Sequence, residues 1–326
     1  MNIIILSNTI IYIEMPRKPA PSTETKFMTQ IKEKLIANEL AEGTAKLYLT
    51  KLKKLNKNKD FTSLAFLKDT KTIKGLIEGL ENKNTKKSYI TSVVSVLNVI
   101  NTKQYNTTNI FYKALLNEQK DYFNSLDPHE KTQTQQDNWI DWTDVMKIHK
   151  ELEAEALKIT PDELAKSKQA KQTLHDYTLL SFYVMTPPRR NADYYLMKLD
   201  TDRKADDQFN YYSTMEGKFY FNKFKTAKYG KENFDVSTGL KKVLDRYIEL
   251  MNIKDGDFIL FHSDTKRSSG SAMTKALNRI FGKKVGASML RHSYITDKYG
   301  KVNDEMVKDA EMMAHTLSTQ RDYIKE

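Results

Sequence analysis

Apolar residues recur at helical spacing through most of the chain. Phe27, Ile31, Leu35 and Ile36 share one face of a 3.6-residue repeat, and Ser22 or Thr23 is placed to cap its start. A second helix is expected from Glu42 or Gly43 through Leu47, Leu52 and Leu55, with Lys46, Lys51, Lys53 and Lys54 on its outer side. Phe61–Leu67 and Ile73–Leu80 read as shorter helices. Thr85 is placed to cap a stronger one, in which Tyr89, Val93, Val96, Leu97 and Ile100 form the stripe and Lys86 and Lys87 occupy the first turn. Two lysines at a helix N-terminus oppose the helix dipole, a conflict that an external phosphate would relieve; taken alone, the pair reads as two exposed lysines at a cost of about a few tenths of a kcal/mol. Residues 25–126 therefore read as an all-α bundle with lysine-rich faces.

From Asp127 to Asn138 there is no apolar side chain to join a core, and Pro128 interrupts the segment. Residues 127–138 read as a linker between two domains. Beyond it, Trp139, Ile140, Trp142, Val145 and Ile148 mark a helix, and Thr160-Pro161-Asp162-Glu163 carries the chemistry of a helix start. Leu174–Met185 reads as an apolar helix stopped by Pro187 and Pro188, with a further helix over Asn191–Leu199. The period then shortens. Phe209–Thr214, Lys218–Phe224 and Asn233–Val236 are extended and aromatic-rich, and Glu216-Gly217 and Tyr229-Gly230 supply turns, which predicts an antiparallel sheet of about three strands. Helices return with the stripe Leu240, Val243, Leu244, Tyr247, Ile248 and Met251, then over Met273–Phe281 and Ala287–Tyr299, followed by a polar helix-like run. The expected fold class is mainly α with a small antiparallel β-sheet: an all-α N-terminal domain at 25–126 and a mixed α+β domain at 139–326.

The first residues, Asn2 to Glu14, are apolar but lack a basic leader, are interrupted by Ser7-Asn8-Thr9, and are too short to span a bilayer. Residues 1–24 read as a flexible N-terminal extension with Met15 as an alternative start; a β-rich arm is the other reading. Composition adds three constraints. A chain of 326 residues with 39% hydrophobic residues accommodates two cored domains. The net charge of +11 suits a polyanion, and the lysines are spread along the chain instead of gathered on one amphipathic segment, which argues against a membrane surface. Cysteine is absent, so disulfides, zinc thiolates and thiol nucleophiles are excluded, and the six histidines have no pair at metal-ligand spacing.

Two arginines stand out. Arg190 follows two prolines at the start of a helix, and Arg291 sits in the half-apolar run Met289-Leu290-Arg291-His292. Each alone reads as a structural ion-pair residue, with Asp193 the local partner for Arg190; together they could fork the non-bridging oxygens of a phosphate. Lys225 lies at the tip of the expected hairpin with Lys223 and Lys228 as rivals, since hairpin register is not fixed by sequence; on spacing alone the stretch reads as a solvated turn with several lysines. His315 and Tyr323 close the chain, with Ser318-Thr319 between them as a cap for a short final helix.

The ordered set Arg190, Lys225, Arg291, His315 and Tyr323 resembles the signature of the tyrosine recombinases, the phage-type integrases. Pro187-Pro188-Arg189-Arg190-Asn191-Ala192-Asp193-Tyr194 is similar to the first arginine box, Leu290-Arg291-His292-Ser293-Tyr294 to the second, and Met313-Ala314-His315 through Tyr323 to the closing segment. The phrasing is most similar to integrase-like proteins of large DNA viruses, virophages and related mobile elements. The resemblance implies a core-binding domain at 25–126 and a catalytic domain at 139–326. It implies a DNA-cutting and rejoining enzyme in which Tyr323 attacks the scissile phosphate to form a 3′-phosphotyrosyl bond. Arg190 and Arg291 would clamp the phosphate, Lys225 would protonate the departing 5′ oxygen, and His315 would hydrogen-bond the phosphate. Neither metal nor cofactor is implied. The implied partner is double-stranded DNA, held by lysines such as Lys46, Lys53, Lys54, Lys86, Lys87, Lys223 and Lys228, with a homotetramer on two paired sites that is a monomer or weak dimer when free. An intracellular, unsecreted protein is implied. Ser288 stands where the family places a histidine, so proton removal from Tyr323 would fall to water, His315 or His292. The alternatives are a type IB topoisomerase-like or telomere-resolvase activity, or a DNA-binding relative with weakened catalysis.

Overall fold

The structure is a computed structural model; it describes residues 3–6, 9–12, 25–127, 130–202, 206–225, 230–261 and 267–323, with backbone alone for 3–6, 9–12, 322 and 323. The chain divides into two compact units, residues 1–130 and 131–326. Two short strands open it, β1 (Ile3–Leu6) and β2 (Thr9–Tyr12), paired antiparallel with Ile3 opposite Tyr12. Extended backbone at 3–6 and 9–12 is what the alternative of a β-rich arm expects there. The basic lead-in at 15–24 lies outside the described residues.

The first unit is a bundle of five helices among the described residues: α1 (Lys26–Ala37), α2 (Glu42–Leu55), α3 (Thr70–Glu78), α4 (Lys83–Ile100) and α5 (Asn106–Asn124), with single 3-10 turns at Ala65–Lys68 and Lys103–Tyr105. Side-chain caps set where three of them begin. Thr25 caps α1 in place of Ser22 or Thr23, Asp69 caps α3, and Asn82 accepts the Thr85 amide at 3.1 Å, so α4 starts three residues earlier than expected. The stripes of α1, α2 and α4 meet in a core in which Ile31, Leu52, Leu64, Leu67, Val93 and Val96 are fully buried. Two phenols tie the intervening turns into it: Tyr105 accepts the Leu64 amide at 3.2 Å, and Tyr112 donates to the Leu67 carbonyl at 3.1 Å.

The lysines divide more sharply than periodicity suggested. Lys46 pairs with Glu42 (2.9 Å) and Lys53 with Asp60 (2.7 Å), Lys54 is exposed, and Lys86 and Lys87 are half-buried, the latter over the Phe123 ring at 4.5 Å. Lys51 is not on the outer side at all. It is buried in the seam between α2 and α4, donates to the Ser88 hydroxyl, and makes no ion pair among the described residues. Burial lowers its pKa below that of an ordinary lysine. A folded-state pKa below the unfolded one means the charge opposes folding at neutral pH, and the opposition fades as pH rises through the folded value toward about 10.4. Lys51→Met is therefore expected to raise the urea midpoint at pH 7 with unchanged slope, and the gain should shrink at strongly alkaline pH. An unchanged or lowered midpoint would show that the ammonium is compensated.

The second unit contains α6 (Gln133–Asn138), α7 (Trp142–Ala156), α8 (Pro161–Lys166), α9 (Lys168–Val184) and α10 (Asn191–Tyr195), then strands β3 (Met197–Asp200), β4 (Asn210–Ser213), β5 (Lys218–Phe221) and β6 (Glu232–Asp235). Four helices follow: α11 (Thr238–Leu250), α12 (Gly270–Phe281), α13 (Ala287–Met312) and α14 (Leu317–Tyr323). Half of the segment read as a linker is thus helical, because Thr132 and Gln135 close a capping box at the start of α6. Thr160 and Glu163 do the same for α8. Helix α9 is the spine of this unit. It begins at Lys168, capped by Ser167, and buries Leu179, Leu180, Phe182 and Tyr183 completely against α7, α11 and the sheet.

The sheet differs from the expected antiparallel three-stranded one. Its order is β3-β4-β5-β6, with β3 parallel to β4 and the other pairs antiparallel. The helix anticipated over Asn191–Leu199 stops at Tyr195, and Met197–Asp200 becomes the fourth strand. Met197 and Leu199 face the same core at 0% and 2% exposure, and the 256–259 segment satisfies their backbone groups: Leu199 donates to the Asp257 carbonyl (2.9 Å) and accepts the Gly256 amide (2.9 Å), and Met197 accepts the Ile259 amide (3.0 Å). Among the described residues no helix is long and apolar enough to cross a membrane.

Candidate active site

The segment between α9 and the sheet is held rigidly. Thr186 donates to the Phe182 carbonyl at 2.7 Å as α9 ends, Pro187 and Pro188 restrict the next two residues, and Arg190 occupies the N-cap of α10 in extended conformation. The adjacent arginines then part company. Arg189 donates from Nε to Asp193 Oδ2 (2.9 Å) and from Nη1 to Glu232 Oε2 (3.0 Å), and its guanidinium lies 4.0 Å from the Phe221 ring centroid. Asp193 was expected to pair with Arg190; the ion pair is with Arg189. The reason is reach, since Arg189 can satisfy Glu232 on β6 and Asp193 on α10 at once.

Arg190 is left half-buried; its carbonyl accepts the Asp193 amide at 3.0 Å, but its guanidinium has no hydrogen bond or ion pair among the described residues. Arg291, in the first turns of α13, is in the same condition between buried Leu290 and half-exposed surroundings. Both line one cleft of about 510 Å³, together with Pro187, Pro188, Phe221, Phe224, Phe234 and the Arg189–Asp193–Glu232 group. Asp235, at the rim, faces Lys218 at 3.7 Å. Burial raises the Asp193 pKa, and the Arg189 and Arg190 guanidinium groups pull it back down. Its Oδ1 is buried and without a hydrogen bond. The cleft therefore holds two cations whose charge is not neutralised by a bonded carboxylate, a chemical environment suited to an oxyanion. A larger cleft of about 1390 Å³ elsewhere in this unit has Lys168, Lys171, Lys275 and Arg279 on its rim, with Arg279 bonded to Asp176. None of the residues singled out from the sequence line it.

The other candidates sit differently. Lys223 and Lys225 are exposed on the turn after β5, beside Phe224 of the cleft wall, and Lys228 lies outside the described residues. Ser288 and His292 are exposed and do not line the cleft. Most unexpected is α13. Instead of ending near Tyr299 it runs unbroken to Met312. The 21 residues from Arg291 to Met312 rise about 32 Å. There Ala314, with φ 54°, reverses the chain, and the His315 amide donates back to the Ala310 carbonyl at 3.0 Å. His315 is half-buried beside Gln320. Helix α14 packs on α13 and ends with Tyr323, but seven residues recover only about 10 Å. Its start is capped by Thr316, which accepts the Thr319 amide at 3.2 Å, and not by Ser318-Thr319. The structure thus unites Arg190 and Arg291 and holds His315 and the Tyr323 backbone well away from them.

No family model matches the chain, and no curated protein matches it. Among solved structures, the crystal structure of XerA recombinase is similar over 92% of this chain and 93% of that one, at 13% identity and a TM-score of 0.34. A likeness that slight assigns no family.

Sequence reasoning passed over Arg189, Glu232 and Asn210, which organise the cleft wall. The only signal for Asn210 was a polar residue at the head of an aromatic strand. The Arg189–Glu232 contact spans 43 residues and left none.

Proposed function

We propose that this chain is a tyrosine recombinase, a metal-independent DNA strand transferase. The observation that carries the reading is the pair Arg190 and Arg291, half-buried, unbonded to any carboxylate among the described residues, and lining one cleft. Two guanidinium groups lining one cleft can pair with the non-bridging oxygens of a phosphodiester, and an arriving anion would offset their desolvation. The net charge of +11 favours a polyanion over a small acid.

In this reading the Tyr323 phenolate oxygen forms a bond to the scissile phosphorus as the bond from phosphorus to the 5′ oxygen breaks. Arg190 and Arg291 stabilise the charge that gathers on the phosphorus oxygens. Lys225 hands a proton to the departing 5′ oxygen, with Lys223 and Lys228 its rivals, and His315 hydrogen-bonds the phosphate. The covalent intermediate conserves the bond energy, so a second 5′ hydroxyl can reverse the step without a nucleotide. Two paired duplexes and a tetramer supply that second strand. Tyr323 reaches the cleft when α13 breaks near Gly300, for which the sequence carries both halves of the signal. Gly300-Lys301 can end one helix, and Asn303 followed by Asp304 and Glu305 can start the next.

Incubation with a nicked suicide duplex tests the reading. A protein–DNA adduct stable to denaturation should form without metal and disappear in Tyr323→Phe. No adduct, or one that survives Tyr323→Phe, leaves the binding-only alternative. Joining between two different duplexes separates a recombinase from a topoisomerase-like relaxer.

A further inference from the structure

The turn bearing Lys223 and Lys225 is fastened to the helix that Arg190 caps by two independent sets of bonds. The first is made by Asn210, a fully buried residue at the head of β4. Its Nδ2 donates to the Asp193 carbonyl (2.8 Å) and to the Lys223 carbonyl (3.0 Å), while its Oδ1 accepts the amides of Asn222 (2.9 Å) and Lys223 (2.7 Å). One amide group thus fills four hydrogen bonds, one to α10 and three to the turn, a full complement for an asparagine. The second set centres on Arg189. It joins Asp193 to Glu232 on β6, and its guanidinium is 4.0 Å from the ring centroid of Phe221, 5.4 Å from Phe234 and 5.5 Å from Phe224. Phe224 is the residue immediately before Lys225.

We infer that Asn210 and Arg189 are positioning residues. They form a latch that fixes the lysine turn relative to Arg190, so that the proton donor and the phosphate clamp arrive together. The inference rests on the recombinase reading and deepens it. An isolated two-stranded turn carrying exposed lysines would sample many positions, and long flexible side chains lose efficiency when their base wanders. Asn210 removes that freedom at the backbone, and Arg189 removes it at the strand that returns. Both act through Lys225 and neither needs to touch the substrate.

The test uses two suicide duplexes, one with the natural bridging 5′ oxygen and one with sulfur in its place. A thiolate departs without a proton, so the sulfur substrate makes the donor dispensable. Asn210→Asp keeps the size of the side chain but replaces its two donors. Arg189→Met keeps the apolar contact and discards the clamp. On the oxygen substrate each variant should form adduct roughly ten- to a hundred-fold more slowly than the wild-type chain. On the sulfur substrate each should return to within about threefold, as Lys225→Ala should, with duplex affinity unchanged. Arg291→Ala should stay slow on both, since the clamp is needed for either leaving group.

Equal losses on the two substrates, or no loss on either, overturn the latch while leaving the recombinase reading intact. Absence of any wild-type adduct on both substrates overturns the two together. If Arg189→Met fails to fold, as judged by circular dichroism, Glu232→Gln provides the same comparison for that set of bonds, because the Glu232 side chain is 42% exposed and breaks the clamp only at its hairpin end.

Discussion

Arg190→Ala and Arg291→Ala should each slow covalent adduct formation by about a hundred- to a thousand-fold, the usual loss when one donor to a developing oxyanion is removed. The same substitutions should leave thermal stability unchanged or slightly raised. That combination is what separates a phosphate clamp from a structural ion pair. An arginine that holds the fold together leaves a buried carboxylate unpaired when it is truncated, at roughly 3–5 kcal/mol. Arg190 and Arg291 have no such bonded partner among the described residues, whereas Arg189 has two, at 2.9 and 3.0 Å. Arg189→Ala should accordingly destabilise the second unit where its neighbour does not. Lysine at 190 or 291 keeps the charge and loses the two-pronged geometry, so it should recover only part of the rate. Adduct formation within about fivefold of wild type in both alanine variants would remove the clamp, since such a loss is far below that of an oxyanion donor.

The double substitution Gly300→Ala with Asn303→Ala should lower adduct formation by about a hundred-fold while stabilising α13. Three small effects add. Alanine is about 1 kcal/mol better than glycine inside a helix. It is about 1 kcal/mol worse in the left-handed conformation that ends one. Loss of an asparagine cap from the broken form costs about 1 kcal/mol more. The sum of about 3 kcal/mol is two factors of ten. Alanine fits the continuous helix without strain, because a Cβ at Gly300 meets only the Thr296 methyl at 3.8 Å. If instead the long helix carries Tyr323 to the cleft of a second copy, the double alanine variant should retain its activity. A mixture of Tyr323→Phe and Arg291→Ala protomers should then regain the adduct that each lacks alone.

Why α13 continues past its stop signal is a matter of cooperativity. Once a helix is nucleated, each further residue adds a hydrogen bond, and one glycine costs only about 1 kcal/mol. Lys298, which donates to the Tyr294 hydroxyl at 3.2 Å and lies 5.1 Å from the Tyr299 ring, adds support on the N-terminal side of the glycine. Ile295, Tyr299 and Val302 remain about half exposed along this stretch, so no tertiary burial enforces either form. At the half-buried Gly300 the sequence signal and the structure disagree, the kind of position at which a functional or strained site is expected.

The amino-acid sequence by itself determined the local elements of this protein. Stripes such as Val93, Val96 and Leu97 can be buried only by a helix, and Thr160-Pro161 marks a start that α8 obeys. It also put a strong basic charge on the chain and drew attention to Arg190 and Arg291. Tertiary structure alone decided which arginine is neutralised, that Met197–Asp200 leaves helical conformation for a strand, that Lys51 is buried, and that α13 separates the arginine cleft from His315 and the Tyr323 backbone. Periodicity and capping act over a few residues and are written in adjacent positions. The choice between neighbouring arginines depends on a glutamate 43 residues away, and the choice between a bent and a straight helix on a balance of a few kcal/mol.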